Sequence, residues 1–363
     1  MFTIEMLPAA HGDCLWIEYG KPGQVHRVLI DGGFGTSYRH LRDRFDRLPQ
    51  GDRHFELMVL SHVDADHIEG MVSLLADEKV QFTCGDLWFN GWAQIAGAGV
   101  DFGAVQGEYL GGLIEKRGLP WNRLFGGHAV VVIEDEALPV HELPGGLRLT
   151  LLSPTPHYLE IMARAWQDEC KKAGLVPGVE KEALAHLEKR GRRLIPSFGS
   201  DAEPDVEIWS RVPFTKDTSA ANGSSIAFLA EYQGKRILFG ADAYSDVLET
   251  NVARLAKERG EAILALDALK LPHHGSAANL TAALMAGVNA RKILVSTNGD
   301  HFGHPDPEAL ARVVKSRGGL DLVFNYRSEE NEIWDNEDWK TRYKYQTRYP
   351  TDEQGGTLID FEV

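Results

Sequence analysis

The segment Ser61-His62-Val63-Asp64-Ala65-Asp66-His67 packs four potential metal ligands, His62, Asp64, Asp66 and His67, into six positions. Imidazole nitrogen with carboxylate oxygen suits Zn²⁺, and oxygen-richer sets move toward Mn²⁺ or iron. In a tight strand-to-helix turn, His62 and Asp64 can face one ion while Asp66 and His67 face a second. The plainer reading is a helix N-terminus capped by Asp64 or Asp66, beside two incidental histidines. Four ligand types directly after an apolar run weigh against it. Asp242 closes another apolar run, RILFGADA, as either a cap or a ligand. His273 and His274 follow LKLP and precede Gly275-Ser276. Neighbouring side chains alternate on an extended chain, so one metal ligand and one substrate-contacting or supporting histidine are expected there. No G-x-S-x-G elbow, P-loop lysine motif or G-x-G-x-x-G is present, so serine-hydrolase, nucleotide-triphosphatase and dinucleotide readings lack residues.

These groups need elements to position them. FTIEML, CLWIEY and HRVLIDGG read as strands bounded by turn residues. FELMVLS (55–61) reads as one buried strand that opens onto polar residues. HIEGMVSLLADE has helical spacing, with Ile68, Met71, Leu74 and Leu75 on one face. SSIAFLAEYQGKRILFGADA (224–243) reads as a hairpin turning at Gln233-Gly234, followed by a helix to about residue 260. DALKLPHHGS, RKILVSTNGD, DLVFNY and GGTLIDFEV supply further strands. Between them, 157–192 suggests two helices broken at 174–178, while 197–225 is loop-like.

With 43% hydrophobic and 25% charged residues in 363, the chain has a globular balance, long for one ordinary core. No run reaches the roughly 18 apolar residues of a membrane span. No leader is visible, and Cys14, Cys84 and Cys170 form no CxxC pair, so a reducing cytoplasm is expected. A net charge of −15 disfavours broad electrostatic binding of duplex nucleic acid. Bound cations would reverse that sign locally.

SHVDADHIEG, LIDGG (29–33), the NGSS–GADA segment and LPHHGS together resemble the metallo-β-lactamase fold superfamily. They are most similar to its branch containing the nuclease-like domain of the competence protein ComEC, which has HxDxDH, N-x-S-S, a G-D-A-type strand end and HHGS. The resemblance covers 1–80 and 222–310. It implies an α/β fold, an αββα sandwich with a partly helical insertion, and a dinuclear site at one edge of paired sheets. Carried over by position, His62 and Asp64 would hold one metal, Asp66 and His67 the other, and Asp242 would bridge them. His274 would complete the second site, leaving His273 at the substrate. The superfamily usually adds another histidine to the first metal; the candidates here are His128, His157 and Asn222, with a polar stand-in near Asn222 favoured. His11-Gly12-Asp13 resembles the branch's G-x-G-D turn, or is a plain hairpin turn. Asn298 to Pro305 resembles a segment lying over the site, or is a loop with His301 and His304 solvated.

The domain expectation is a first half at 1–80, an insertion or lid at 81–215 and a second half at 216–363. The expected function is a metallo-hydrolase using two divalent ions, Zn²⁺ or Mn²⁺, and a metal-bound hydroxide, in phosphodiesterase or nuclease chemistry. Asp66 would orient the hydroxide, with His273, His304 and Lys270 near the phosphate. A small phosphodiester or a single-stranded nucleic acid is the expected substrate, with no membrane partner. The rivals are hydrolysis of a lactone, thioester or β-lactam, and a catalytically silent binding module. Trp88, Trp92 and Trp121 would fill a core or stack bases, core filling being favoured.

Overall fold

A computed structural model describes residues 1–95, 105–173, 204–352 and 354–363. Two sheets carry the fold. The first runs, in spatial order, Thr357–Asp360, Phe2–Met6, Leu15–Lys21, Gln24–Ile30, Leu57–Val59 and Leu87–Trp88. The second runs Tyr345–Arg348, Leu320–Phe324, Val288–Val295, Leu264–Lys270, Lys235–Phe239, Ala227–Tyr232, Leu147–Ser153 and Val140–Leu143.

Alternation along the strands explains why the sheets stack. Phe2, Ile4 and Met6, then Leu15, Ile17 and Tyr19, then Val28 and Ile30 join one core with Phe228, Ala230 and Ile237 of the second sheet. Phe2 and Tyr19 meet Tyr232 across the gap at ring distances of 5.6 and 5.4 Å. The intervening residues Trp16, Leu29 and Met58 face outward into a separate core. There they meet Leu41 and Phe45 of helix Tyr38–Asp46 and Ile68, Met71, Leu74 and Leu75 of helix Ala65–Ala76. Helices Ser245–Glu258 and Pro307–Ser316 cover the other sheet with Leu248, Val252, Leu310 and Val314. The chain is therefore an αββα sandwich, as the resemblance implied.

Some expectations hold and others change. FELMVLS is not one strand: His54–Phe55 pairs with Thr83–Cys84, and only Leu57–Val59 enters the first sheet. The run breaks at Glu56, whose carboxylate bonds the His26 ring at 2.6 Å. The Gln233-Gly234 hairpin forms with both turn residues at positive φ, 48° and 78°, as a type I′ turn requires. Residues 81–215 contribute strands to both sheets besides their helices. Of the two helices expected in 157–192, the first is Pro156–Ala173, and the second lies outside the described residues. Trp88 and Trp92 are core residues, and half-buried Trp121 donates to the Phe89 carbonyl at 2.8 Å. Among the described residues no helix is long and apolar enough to cross a membrane.

The parallel strands end along one edge, where open α/β sheets gather their ligands. Asp31 follows Ile30, His62 follows Val59, Asp242 follows Phe239, His273 follows Lys270 and Ser296 follows Val295.

Candidate metal centre

After Leu57–Val59 the chain runs extended through Asp64 and turns into helix Ala65–Ala76. Asp64 is the residue before that helix, and its backbone carbonyl accepts from the His67 and Ile68 amides at 3.0 Å each. Its carboxylate, however, makes no capping bond; it lies 3.6 Å from His62 Nε2. The cap reading thus fails for the Asp64 side chain. The helix start is clamped from behind by backbone. A Cβ on Gly12 would sit 1.7 Å from the Asp66 carbonyl oxygen, so the His11-Gly12-Asp13 turn lies directly against it.

Four imidazoles converge on Asp242, which is 2% exposed. Its Oδ1 is 3.5 Å from His67 Nε2. Its Oδ2 is 3.6 Å from His62 Nε2 and 3.7 Å from the Nε2 atoms of both His273 and His274. Asp66 closes the cluster, 3.3 Å from His274 Nε2 and 3.8 Å from His67 Nε2.

In each ring the other nitrogen is already committed as a donor. His67 Nδ1 donates to Asp31 Oδ2 at 2.8 Å, and His274 Nδ1 donates to the Ser296 carbonyl at 2.9 Å. His273 Nδ1 donates to Asn279 Oδ1 at 2.8 Å. Ser61 Oγ donates to Asp31 Oδ2 at 2.7 Å, so it accepts from His62 Nδ1 at 3.0 Å. The donated hydrogen fixes the tautomer, and every Nε2 turns a lone pair inward. The lone pairs face one another: His67 and His274 Nε2 stand 3.2 Å apart. Such a set wants a cation. His62 Nε2, Asp242 Oδ1, Asn222 Oδ1 and Asp13 Oδ1 are buried with no hydrogen-bond partner, and buried polar atoms are rarely left so. Asp13, His67, Asp242 and His274 alone bring ligand atoms within 4.8 Å of one another. The donor set fits borderline or hard divalent ions.

Without a cation, protons balance the carboxylates. Burial pulls the His67 ring down, but Asp242, Asp31 and Asp66 outweigh it and raise it well above its ordinary value. His273 is likewise lowered by burial yet raised to about 9 by Asp242 and Asp217, and His274 is also raised. Burial pushes the Asp66 and Asp242 carboxyls up, but His67 and His274 hold both below the usual carboxylate range. A metal bound by His67 and His274 must therefore displace the protons that their raised values hold. Zn²⁺ affinity should rise with pH between 6 and 8, about tenfold per unit for each proton displaced. Calorimetric titration at both pH values checks this; a pH-independent affinity would remove the histidines from the ligand set.

The expectation of alternating His273 and His274 is corrected. Pro272–Gly275 is a tight turn with His273 at φ 48° and His274 at φ 54°, not an extended strand. Both rings consequently reach the same carboxylate oxygen. Lys270 is also corrected: it is fully buried, with Nζ 2.7 Å from Asp13 Oδ2, and cannot meet a phosphate. Asp13 is thus more than a turn residue. Of the three candidates for an extra ligand, Asn222 lies at the cluster, with Nδ2 3.4 Å from His273 Nδ1 and 2.7 Å from Asp217 Oδ2. His128 and His157 are exposed, and among the described residues no hydrogen bond or ion pair joins either to the cluster. His304 bonds Asp306 at 2.8 Å, and its ring stands 5.3 Å from that of His273. His301 meets the His11 ring at 4.9 Å. Sequence reasoning passed over Asp31, Asp217, Asn279 and Ser296, which orient the four rings or their partners. The one available signal was Asp31, a carboxylate closing an apolar run before two glycines.

No protein-family model matches the sequence, and no curated protein matches it. Solved structures do. Zn²⁺-bound PqqB from Methylobacterium extorquens is 13% identical over 99% of this chain and 100% of its own, with a TM-score of 0.42. The metallo-β-lactamase fold protein YhfI from Bacillus subtilis is 10% identical over 99% of both chains, TM-score 0.41. A variant of the CmlA β-hydroxylase is 10% identical over 99% of this chain, TM-score 0.40; this chain spans 54% of its length.

Proposed function

We propose that this chain is a metal-dependent phosphodiesterase of the ComEC-like kind that holds two divalent cations, Zn²⁺ or Mn²⁺. The observation that carries the proposal is the committed Nδ1 hydrogen of all four imidazoles, which leaves every Nε2 directed at Asp242. In this reading His62 and Asp64 hold one ion, Asp66, His67 and His274 hold the other, and Asp242 lies between them. Divalent cations held there attract phosphate oxygens and make a nearby water more acidic. The protein's own groups do the rest. Asp31 and the Ser296 carbonyl keep the His67 and His274 rings in register. Asp66, held ionised, orients the water that attacks phosphorus as the ester P–O bond breaks. His273 and His304 contact the phosphate, His304 being steadied by Asp306 through Nδ1. Three carboxylates in the ligand set favour a phosphoester over a carbonyl substrate, because hard oxygen donors suit the ions that serve phosphate chemistry.

The test sets bis-p-nitrophenyl phosphate against a lactone and a thioester, with Mn²⁺ and Zn²⁺ in parallel. Metal-dependent release of p-nitrophenol is expected. Turnover of the lactone or thioester with the phosphodiester inert would overturn the proposal, and no turnover of any would favour a silent module.

A further inference from the structure

A cavity of about 540 Å³ opens beside the metal-binding turn. One end is formed by Val63, Asp64 and Ala221, the last adjacent in sequence to Asn222. Its side wall is Met162, Ala165 and Trp166 of helix Pro156–Ala173. The Trp166 ring is fixed by its Nε1 bond to Glu108 at 3.1 Å. The volume is that of a small-molecule site, and such sites are mostly apolar with a few polar groups at one end. Here the polar lining groups are Asp64, Gln106, Glu169 and Lys172, of which Asp64 belongs to the metal-binding turn.

The charges decide what this cavity suits. Among the described lining residues the one cation is Lys172, and it is bonded to Glu169 at 2.6 Å. The other ionisable lining groups, Asp64 and Glu169, are acidic. A nucleic-acid strand needs phosphate partners along its backbone, and among the described lining residues the one candidate, Lys172, is already paired with Glu169. We infer that the cavity holds one uncharged apolar group of the substrate, of aryl or similar size, while the phosphate rests at the histidine–aspartate cluster. The substrate class is then a small aryl or alkyl phosphoester rather than a polynucleotide. This inference rests on the phosphodiesterase reading for the identity of the phosphate, but not for the apolar recognition.

The experiment measures binding of phenylphosphonate and methylphosphonate, neither of which can be hydrolysed, to metal-loaded protein by calorimetry. Wild type should bind the phenyl compound roughly tenfold or more tighter, the worth of burying one ring. Ala165→Trp, a partly exposed position that projects into the cavity, should shrink that preference to about unity. Its metal content, circular dichroism and methylphosphonate affinity should stay unchanged. Ala165→Met is the milder companion should the larger side chain disturb folding, and it should reduce the preference in part. Equal affinities in wild type, binding of neither compound, or a preference that survives both substitutions would overturn the inference. A preference abolished by Ala165→Trp, in a protein that does not cleave bis-p-nitrophenyl phosphate, would uphold the cavity while defeating the hydrolase reading.

Discussion

Asp242→Asn should lose turnover by more than the roughly 100-fold that removing a ligand's supporting partner costs, in a protein that still folds. The carboxylate is the common neighbour of four rings, with oxygens 3.5 to 3.7 Å from their Nε2 atoms. An amide is close in shape, so packing survives. It removes the negative charge that two cations would share, and it directs an NH₂ group into a space lined by nitrogen lone pairs. Metal content should fall along with rate. The measurements are turnover, elemental analysis and circular dichroism on one preparation. Activity retained with a matching spectrum and full metal content would reduce Asp242 to a structural residue.

The second large effect is on stability. Lys270→Met should cost about 3–5 kcal/mol, the usual result of stranding one partner of a buried ion pair. Lys270 is fully buried and Asp13 is 1% exposed, and their contact at 2.7 Å is the carboxylate's main counter-charge. Burial pushes Asp13 up, but Lys270 and then His274 hold it below the usual range. Without the ammonium, the carboxylate must either take up a proton or stay charged in an apolar setting. Replacing both, as Lys270→Met with Asp13→Asn, should recover most of the loss, because no lone charge remains. Urea midpoints for wild type, both single variants and the pair form the cycle. A single variant as stable as wild type would show that the pair holds nothing.

The legible part of the site was its first turn. HVDADH puts four donors within six positions, and the apolar run before them announces a strand end. Asp242 was legible for the same reason, and the Gln233-Gly234 hairpin carried its turn chemistry on its face. Other parts were not, and the causes are physical. Nothing local tells Pro272-His273-His274-Gly275 to place two histidines at positive φ, a region non-glycine residues seldom visit. Tertiary partners hold it, among them the His273 amide bonded to the Ala241 carbonyl at 2.9 Å and its ring bonded to Asn279. Asp13 reads as a turn residue until Lys270, distant in sequence, is packed against it. Glu56 breaks an apolar run through a bond to His26 that no periodicity reveals. Leu87–Trp88 is two residues long, too short for any pattern to mark it as a strand.

The histidines that face each other at the centre, His67 and His274, are 207 positions apart in the chain. Closing a loop of that length is entropically slow and comes late. A chain in which only the N-terminal strands from Phe2–Met6 to Leu57–Val59 have paired would carry the HVDADH donors on an open edge, without Asp242 or either histidine of the 272–275 turn. Ion capture is thereby postponed to the final docking of the two halves. A tightly held cation then acts as a receipt that the whole sandwich has assembled, and mass action on free metal ties the lifetime of the closed form to the ion supply around it.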